Sequence, residues 1–205
     1  ASALAQVTSQ IGDQVPDLED AQSLVQLTQA MAQLHERGLV MACHDRSDGG
    51  LFATVCEMIF ASRAGIALRL DGLPGGKPAV DVLFNEELGA VLQLRQADLA
   101  QARQAFADAG LGEHCHAIGA VSADCRLRIE AGSRVIFDET MVNLRRAWSE
   151  TSFRLQSARD DPGCARQEYD RLLDADDPGL HAALTFDPGA DFAAPFVSRG
   201  ARPRI

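Results

Sequence analysis

LVMACHDRSDGGLFATVCEMIFA, residues 39–61, changes character twice within its length. The run 39–43 is apolar and reads as a short buried strand. HDRSDGG, residues 44–50, then sets five polar or charged groups and two glycines in a row. From Leu51 the pattern becomes helical, with Val55, Met58 and Ile59 on one face. The spacing predicts a helix that opens near Ser47 or Asp48 and ends around Gly65. A strand that hands over to a helix through a polar, glycine-bearing loop is the building unit of an α/β layer.

The flanks extend this pattern. Upstream, Leu18, Ala21, Leu24, Leu27, Met31 and Leu34 recur at spacings of three and four. They predict a helix with Asp17 as N-cap and Gly38 as its stop. Downstream, IALRL (66–70) alternates like a half-buried strand, and the turn DGLPGGKP (71–78) separates it from a segment containing FNEEL (84–88). GAVLQL (89–94) reads as a strand, and 97–109 as a helix closed by Gly110. HAIGAV (116–121), CRLRIE (125–130) and RVIFD (134–138) read as three short strands, the last two joined at Ala131-Gly132-Ser133. A final helix runs from about Glu139 through Met141, Leu144 and Trp148. This order predicts an α/β (α+β) fold, one mixed β-sheet covered by helices.

Composition narrows the function. At 46% apolar and 23% charged residues the chain has a globular make-up. A net charge of −10, with one Trp and one Tyr, argues against nucleic acid and anionic membranes as partners. Glu57 interrupts the longest apolar run, so no segment suits a bilayer span. The N-terminus, ASALAQVTSQ, has neither a signal-like core nor a Met, which leads to the expectation of a piece of something longer. Cys43, Cys56, Cys115, Cys125 and Cys164 are odd in number and form no CxxC pair, as expected of reduced thiols, mostly buried, in a cytoplasmic protein.

The character shifts after about Thr151. Residues 157–191 carry nine acidic side chains against three arginines, six of the ten net negative charges. DPG occurs there three times, at 161–163, 177–179 and 187–189. The segment reads as a linker that wraps another surface rather than as a core of its own. ARPRI (201–205) reads as the opening of a further strand.

HDRSDGG is the candidate site. The first turn of a helix leaves amide N–H groups unpaired, with partial positive charge. Gly49 and Gly50 would let a phosphate approach that backbone. Asp45, at the carboxyl end of the strand, is a hard oxygen ligand suited to magnesium bridging phosphate oxygens. The competing reading makes Ser47 or Asp48 an N-cap, the glycines turn formers and Asp45 a solvated loop residue; the residues alone weigh the two about evenly. Glu86 and Glu87 are adjacent and share no helix face, so one is expected to cap or pair with an arginine while the other is solvated. His114 and His116 flank Cys115 without a second ligand pair at zinc spacing and read as a strand edge. GxSxG, P-loop, Rossmann and HExxH patterns are all missing.

In this order HDRSDGGLFATVCEMIFA, LFNEELGAVLQL, DPG and GARPRI resemble the large single-chain phosphoribosylformylglycinamidine synthases, or formylglycinamide ribonucleotide amidotransferases, of purine biosynthesis. The resemblance implies a fold like the C-terminal domain of aminoimidazole ribonucleotide synthetase. It implies that 1–150 is the C-terminal subdomain of the second synthetase-like unit, 151–198 the connector and 199–205 the start of a glutaminase domain. By the same resemblance Asp45 is a magnesium ligand and Ser47 contacts nucleotide, ATP or ADP, at an auxiliary site. No catalytic residue carries over, and the glutaminase Cys-His-Glu triad has no counterpart; Cys164 is not its nucleophile. The implied partners are the first synthase unit, the N-terminal subdomain of the second and the glutaminase, with a homodimer of the fragment left open. The alternative is a purely structural scaffold that packs against the other unit and tethers the glutaminase.

Overall fold

The computed structural model describes residues 2–197, apart from 11, 13–15, 19, 74, 75, 175 and 178. The elements run in the order α1 (Ala3–Val7), α2 (Ala21–Glu36), β1 (Val40–Asp45), α3 (Gly50–Ser62), β2 (Gly65–Arg69), α4 (Ala79–Leu83) and β3 (Ala90–Leu94). After these come α5 (Leu99–Asp108), β4 (Gly119–Ser122), β5 (Arg126–Ala131), β6 (Arg134–Thr140), α6 (Met141–Arg159) and α7 (Pro162–Leu172). The α/β fold expected from the alternating pattern is therefore present.

The strands divide into two groups. β4, β2, β5 and β6 form a four-stranded mixed sheet in that order, parallel only between β2 and β5. β1 and β3 form a separate antiparallel ribbon, with Cys43 opposite Leu92 and Asp45 opposite Ala90. The single sheet expected from the strand count is thus one mixed sheet and one ribbon, because among the described residues β1 and β3 pair only with each other.

Each group has its own core. Leu51, Val55 and Ile59 of α3 pack on Leu68, Leu127 and Ile129 of the mixed sheet and on Met141. Ala30 and Leu34 of α2 pack with Ala102, Ala105 and Phe106 of α5, and Leu92 and Leu94 of the ribbon close that cluster. Leu34, Ile59, Leu127, Ile129 and Val55 are the largest fully buried side chains, and burial of each contributes about 1.5–3 kcal/mol. Of the periodic positions, Leu27, Met31 and Leu34 of α2 and Leu51, Val55 and Ile59 of α3 reach these cores, whereas Leu18 and Leu24 are exposed and Ala30, outside the pattern, is fully buried.

Element ends correct several expectations. α2 starts one turn later than Asp17, because Asp20 accepts the Gln22 amide at 2.9 Å while the Asp17 carboxylate accepts the next amide, that of Leu18. Gly38, at φ 64°, closes that helix as expected. His114 lies in a single 3-10 turn and His116 in the loop before β4, so neither sits on a strand. Cys56 is buried, Cys115 and Cys125 are half-buried, and Cys43 and Cys164 are exposed, so only part of the thiol set is hidden.

The acidic segment is more structured than its composition suggests. α6, capped by the Thr140 hydroxyl on the Asn143 amide, runs straight through residue 150. α7 folds back on it: Phe153 and Tyr169 stack with centroids 4.5 Å apart, and the Tyr169 hydroxyl donates to the Arg146 carbonyl at 3.0 Å. The first DPG is a helix start, with Asp161 accepting the Cys164 amide and Pro162 in the first turn. At the other two, Asp177 and Asp187 accept the amides of Gly179 and Gly189, the turn read from the sequence. Residues 198–205, including ARPRI, lie outside the described residues. Among the described residues, no helix is long and apolar enough to cross a membrane.

Candidate functional site

The loop after β1 is held from three sides by its own chain. The Arg46 amide donates to the Gly89 carbonyl at 2.9 Å, and its guanidinium donates to the carbonyls of Glu87 and Leu88 at 2.9 and 3.1 Å. Burial pulls this guanidinium below its ordinary pKa, partly offset by Glu87. The buried Thr54 hydroxyl lies 3.1 Å from the Asp45 carbonyl and 3.0 Å from the Gly50 carbonyl. On the third side, Glu86 Oε1 accepts the Gly49 amide at 2.8 Å.

Neither Ser47 nor Asp48 caps α3. The N-cap is Gly49, at φ 82°, and Gly50 follows at φ 64°, so both occupy the left-handed region that favours glycine. A Cβ on Gly50 would lie 2.7 Å from the Asn85 carbonyl oxygen and 2.8 Å from that of Leu83. The close approach that needs Gly50 is therefore to the chain's own 83–85 segment. The expected phosphate contact at Gly49 is likewise filled, by Glu86. Of the adjacent pair, Glu86 caps and Glu87 is exposed, the division expected from their spacing.

What the loop presents outward is Asp45, Ser47 and Asp48. The Asp45 side chain is 77% exposed, and His44 Nδ1 lies 3.5 Å from its Oδ1. Ser47 and Asp48 are also exposed. Among the described residues no group of three His, Cys, Asp or Glu gathers to hold a metal ion, at Asp45 or at His114 and His116. A single outward carboxylate still fits magnesium, which keeps several waters and is bound through one or two carboxylates together with substrate phosphates.

A match to the family described as AIR synthase related protein, C-terminal domain, covers residues 1–132. The chain belongs to this family. Its fold also resembles phosphoribosylformylglycinamidine synthase II from Thermotoga maritima, at 19% identity and a TM-score of 0.55, over 62% of this chain and 22% of that one. T. maritima PurL complexed with ATP gives 18% identity and a TM-score of 0.56 over the same shares. A HypE–HypF complex gives 17% identity and a TM-score of 0.50, over 66% of this chain and 48% of that one. The chain thus spans about a fifth of the length of the synthases, and at these identities the likeness is one of fold.

One constellation escaped the sequence reading. His44 Nε2 lies 2.8 Å from Glu57 Oε2, and the Trp148 indole donates to Glu57 Oε1 at 3.3 Å. The other His44 nitrogen lies 2.7 Å from the Asp45 carbonyl. A chain of polar contacts thus runs from α6 through α3 to the residue that presents Asp45. Its sequence signal was Glu57, the lone carboxylate in an otherwise apolar helix face.

Proposed function

We propose that the chain is the C-terminal subdomain of the second synthetase-like unit of a phosphoribosylformylglycinamidine synthase. The whole enzyme would be a ligase of purine biosynthesis that uses ATP and glutamine to convert formylglycinamide ribonucleotide to the amidine. This chain would supply half of an auxiliary magnesium-nucleotide site and be inactive alone. The observation that carries the reading is the outward Asp45 carboxylate at the end of β1, on a loop pinned by Arg46, Thr54 and Glu86, in a chain of this family.

In this reading Asp45 holds magnesium and the Ser47 hydroxyl contacts ATP or ADP. Bound there, the metal would neutralise phosphate charge. The loop's own part is positional: His44 and Thr54 fix the Asp45 backbone, and Arg46 locks the 87–89 segment against it. Because Glu86 takes the Gly49 amide, the nucleotide would meet this loop through side chains. Residues 1–150 would form the subdomain, 151–198 the connector and 199–205 the start of a glutaminase, in a cytoplasmic enzyme. Its partners would be the first synthase unit, the other half of the second unit and the glutaminase.

The test is nucleotide retention by the enzyme in its complete form. Asp45→Ala should release magnesium and nucleotide together, with Ser47→Ala weakening nucleotide alone. Unchanged nucleotide content in Asp45→Ala would overturn the site and leave the scaffold reading, a module that only packs and tethers.

A further inference from the structure

Between α6 and α7 lies a concave cleft of about 440 Å³ that contains no residue of the 44–50 loop. Three arginines line it, Arg146 and Arg154 from α6 and Arg166 from α7, against two carboxylates, Glu150 and Asp170. Glu150 accepts two hydrogen bonds from Arg154, at 3.0 and 2.6 Å, and Asp170 lies 3.7 Å from Arg166. Arg146 makes no ion pair among the described residues. The wall therefore carries excess positive charge in a chain of net charge −10.

One of the three arginines is held by ring stacking. The Arg166 guanidinium lies 4.5 Å from the Phe153 ring centroid, and Phe153 is itself stacked on Tyr169. Tyr169 is tied by its hydroxyl to the backbone carbonyl of Arg146. This stacking fixes one guanidinium plane and joins the two helices at the floor of the cleft. Guanidiniums that line one cleft repel one another, and their forked donors match phosphate oxygens. The volume is in the range of small-molecule sites, about 300–1,000 Å³, and exceeds what a single carboxylate would need.

We infer that the α6–α7 cleft binds a diphosphate or triphosphate group, held by Arg146, Arg154 and Arg166 independently of magnesium. The full chain is titrated by calorimetry at low ionic strength with pyrophosphate and, separately, with ADP, both in EDTA, which silences any metal-bridged binding at Asp45. Saturable pyrophosphate binding is expected, and Arg146→Gln or Arg166→Gln should weaken it about tenfold, the scale of one charge-assisted hydrogen bond. Glu150→Gln, which releases Arg154, should tighten binding, a gain that a misfolded variant would not give. ADP binding as tight as pyrophosphate identifies the phosphates alone as the ligand, and tighter binding identifies a nucleotide carrier; both support the site. No saturable binding of either probe, or affinities unmoved by Arg146→Gln and Glu150→Gln, would overturn it. Because the proposed nucleotide site requires the metal, failure at Asp45 leaves this outcome unaffected.

Discussion

Glu86 Oε1 accepts the Gly49 amide at 2.8 Å across 37 residues of sequence, and it accepts the Ala3 amide at the same distance. One carboxylate oxygen thus joins the N-terminal segment, the segment before β3 and the head of α3. It also sits where the helix dipole favours negative charge. The loop brings its own anion to a place where sequence pattern suggested room for a phosphate.

Glu86→Ala should therefore cost about 1–3 kcal/mol, the penalty for leaving part-buried donors without an acceptor. Glu86→Gln keeps an oxygen acceptor and should cost only about 0.3–1 kcal/mol, the share that belongs to charge at the helix head. Urea unfolding midpoints of the two variants check this. Equal losses would mean that charge rather than the hydrogen bonds dominates.

Gly50→Ala should be the most damaging single change in the loop. The left-handed backbone costs a side chain about 1–2 kcal/mol, and contact with the 83–85 carbonyls adds about 1–3 kcal/mol of overpacking. Gly76→Ala is the control, since Gly76 also has positive φ, at 54°, but nothing stands within 4 Å of a Cβ there. Thermal unfolding of both variants separates the steric part from the dihedral part. A Gly50→Ala midpoint equal to that of Gly76→Ala would show that the 83–85 segment yields.

Much of this fold was legible because hydrophobic period reports burial. Leu34, Val55 and Ile59 stood out at helical spacing and are fully buried, and IALRL supplies β2 from Ile66 to Arg69, with Leu68 buried and Arg69 exposed. Strand partnering was not legible, since nothing local tells β1 that it meets β3 alone. The first DPG misled because Asp-Pro begins a helix as readily as a turn, and the residues C-terminal to it decide between them. At the site, HDRSDGG marked the loop, but the groups that hold it, Glu86, Arg46 through the 87–89 carbonyls, and Glu57, act across 13 to 43 positions. Such contacts leave no periodic trace.

The five thiols should separate by reactivity. Burial, with Glu57 beside it, pushes the Cys56 thiol up to about 12, so almost no thiolate forms at pH 8. Cys164 is exposed, and Cys43 is exposed but raised by partial burial and by Asp45. A colorimetric disulfide reagent at pH 8 should label Cys164 first, Cys43 more slowly and Cys56 only after unfolding in urea. Mapping the modified peptides gives the order; prompt labelling of Cys56 in the native chain would mean that α3 does not pack as described.

The segment after α7 should loosen in acid, and Asp177 is the group that controls it. Its carboxylate accepts from Arg171 at 2.8 Å and from the Gly179 amide at 3.1 Å, with its side chain only 12% exposed, while its carbonyl accepts from Arg63 at the end of α3. Those contacts, the Arg171 hydrogen bond above all, hold its pKa below the ordinary aspartate value. A depressed carboxylate stabilises the folded arrangement above its unfolded pKa of about 3.9 and loses that contribution as pH falls through the lower, folded value. The tether should thus be intact at neutral pH and fail only in strong acid. Following the Gly179 amide by NMR should give a midpoint below 3.9 that rises toward that value in Arg171→Gln, marking about where an unassisted aspartate titrates. A native midpoint already at the ordinary value would mean that Arg171 does not hold Asp177 in solution.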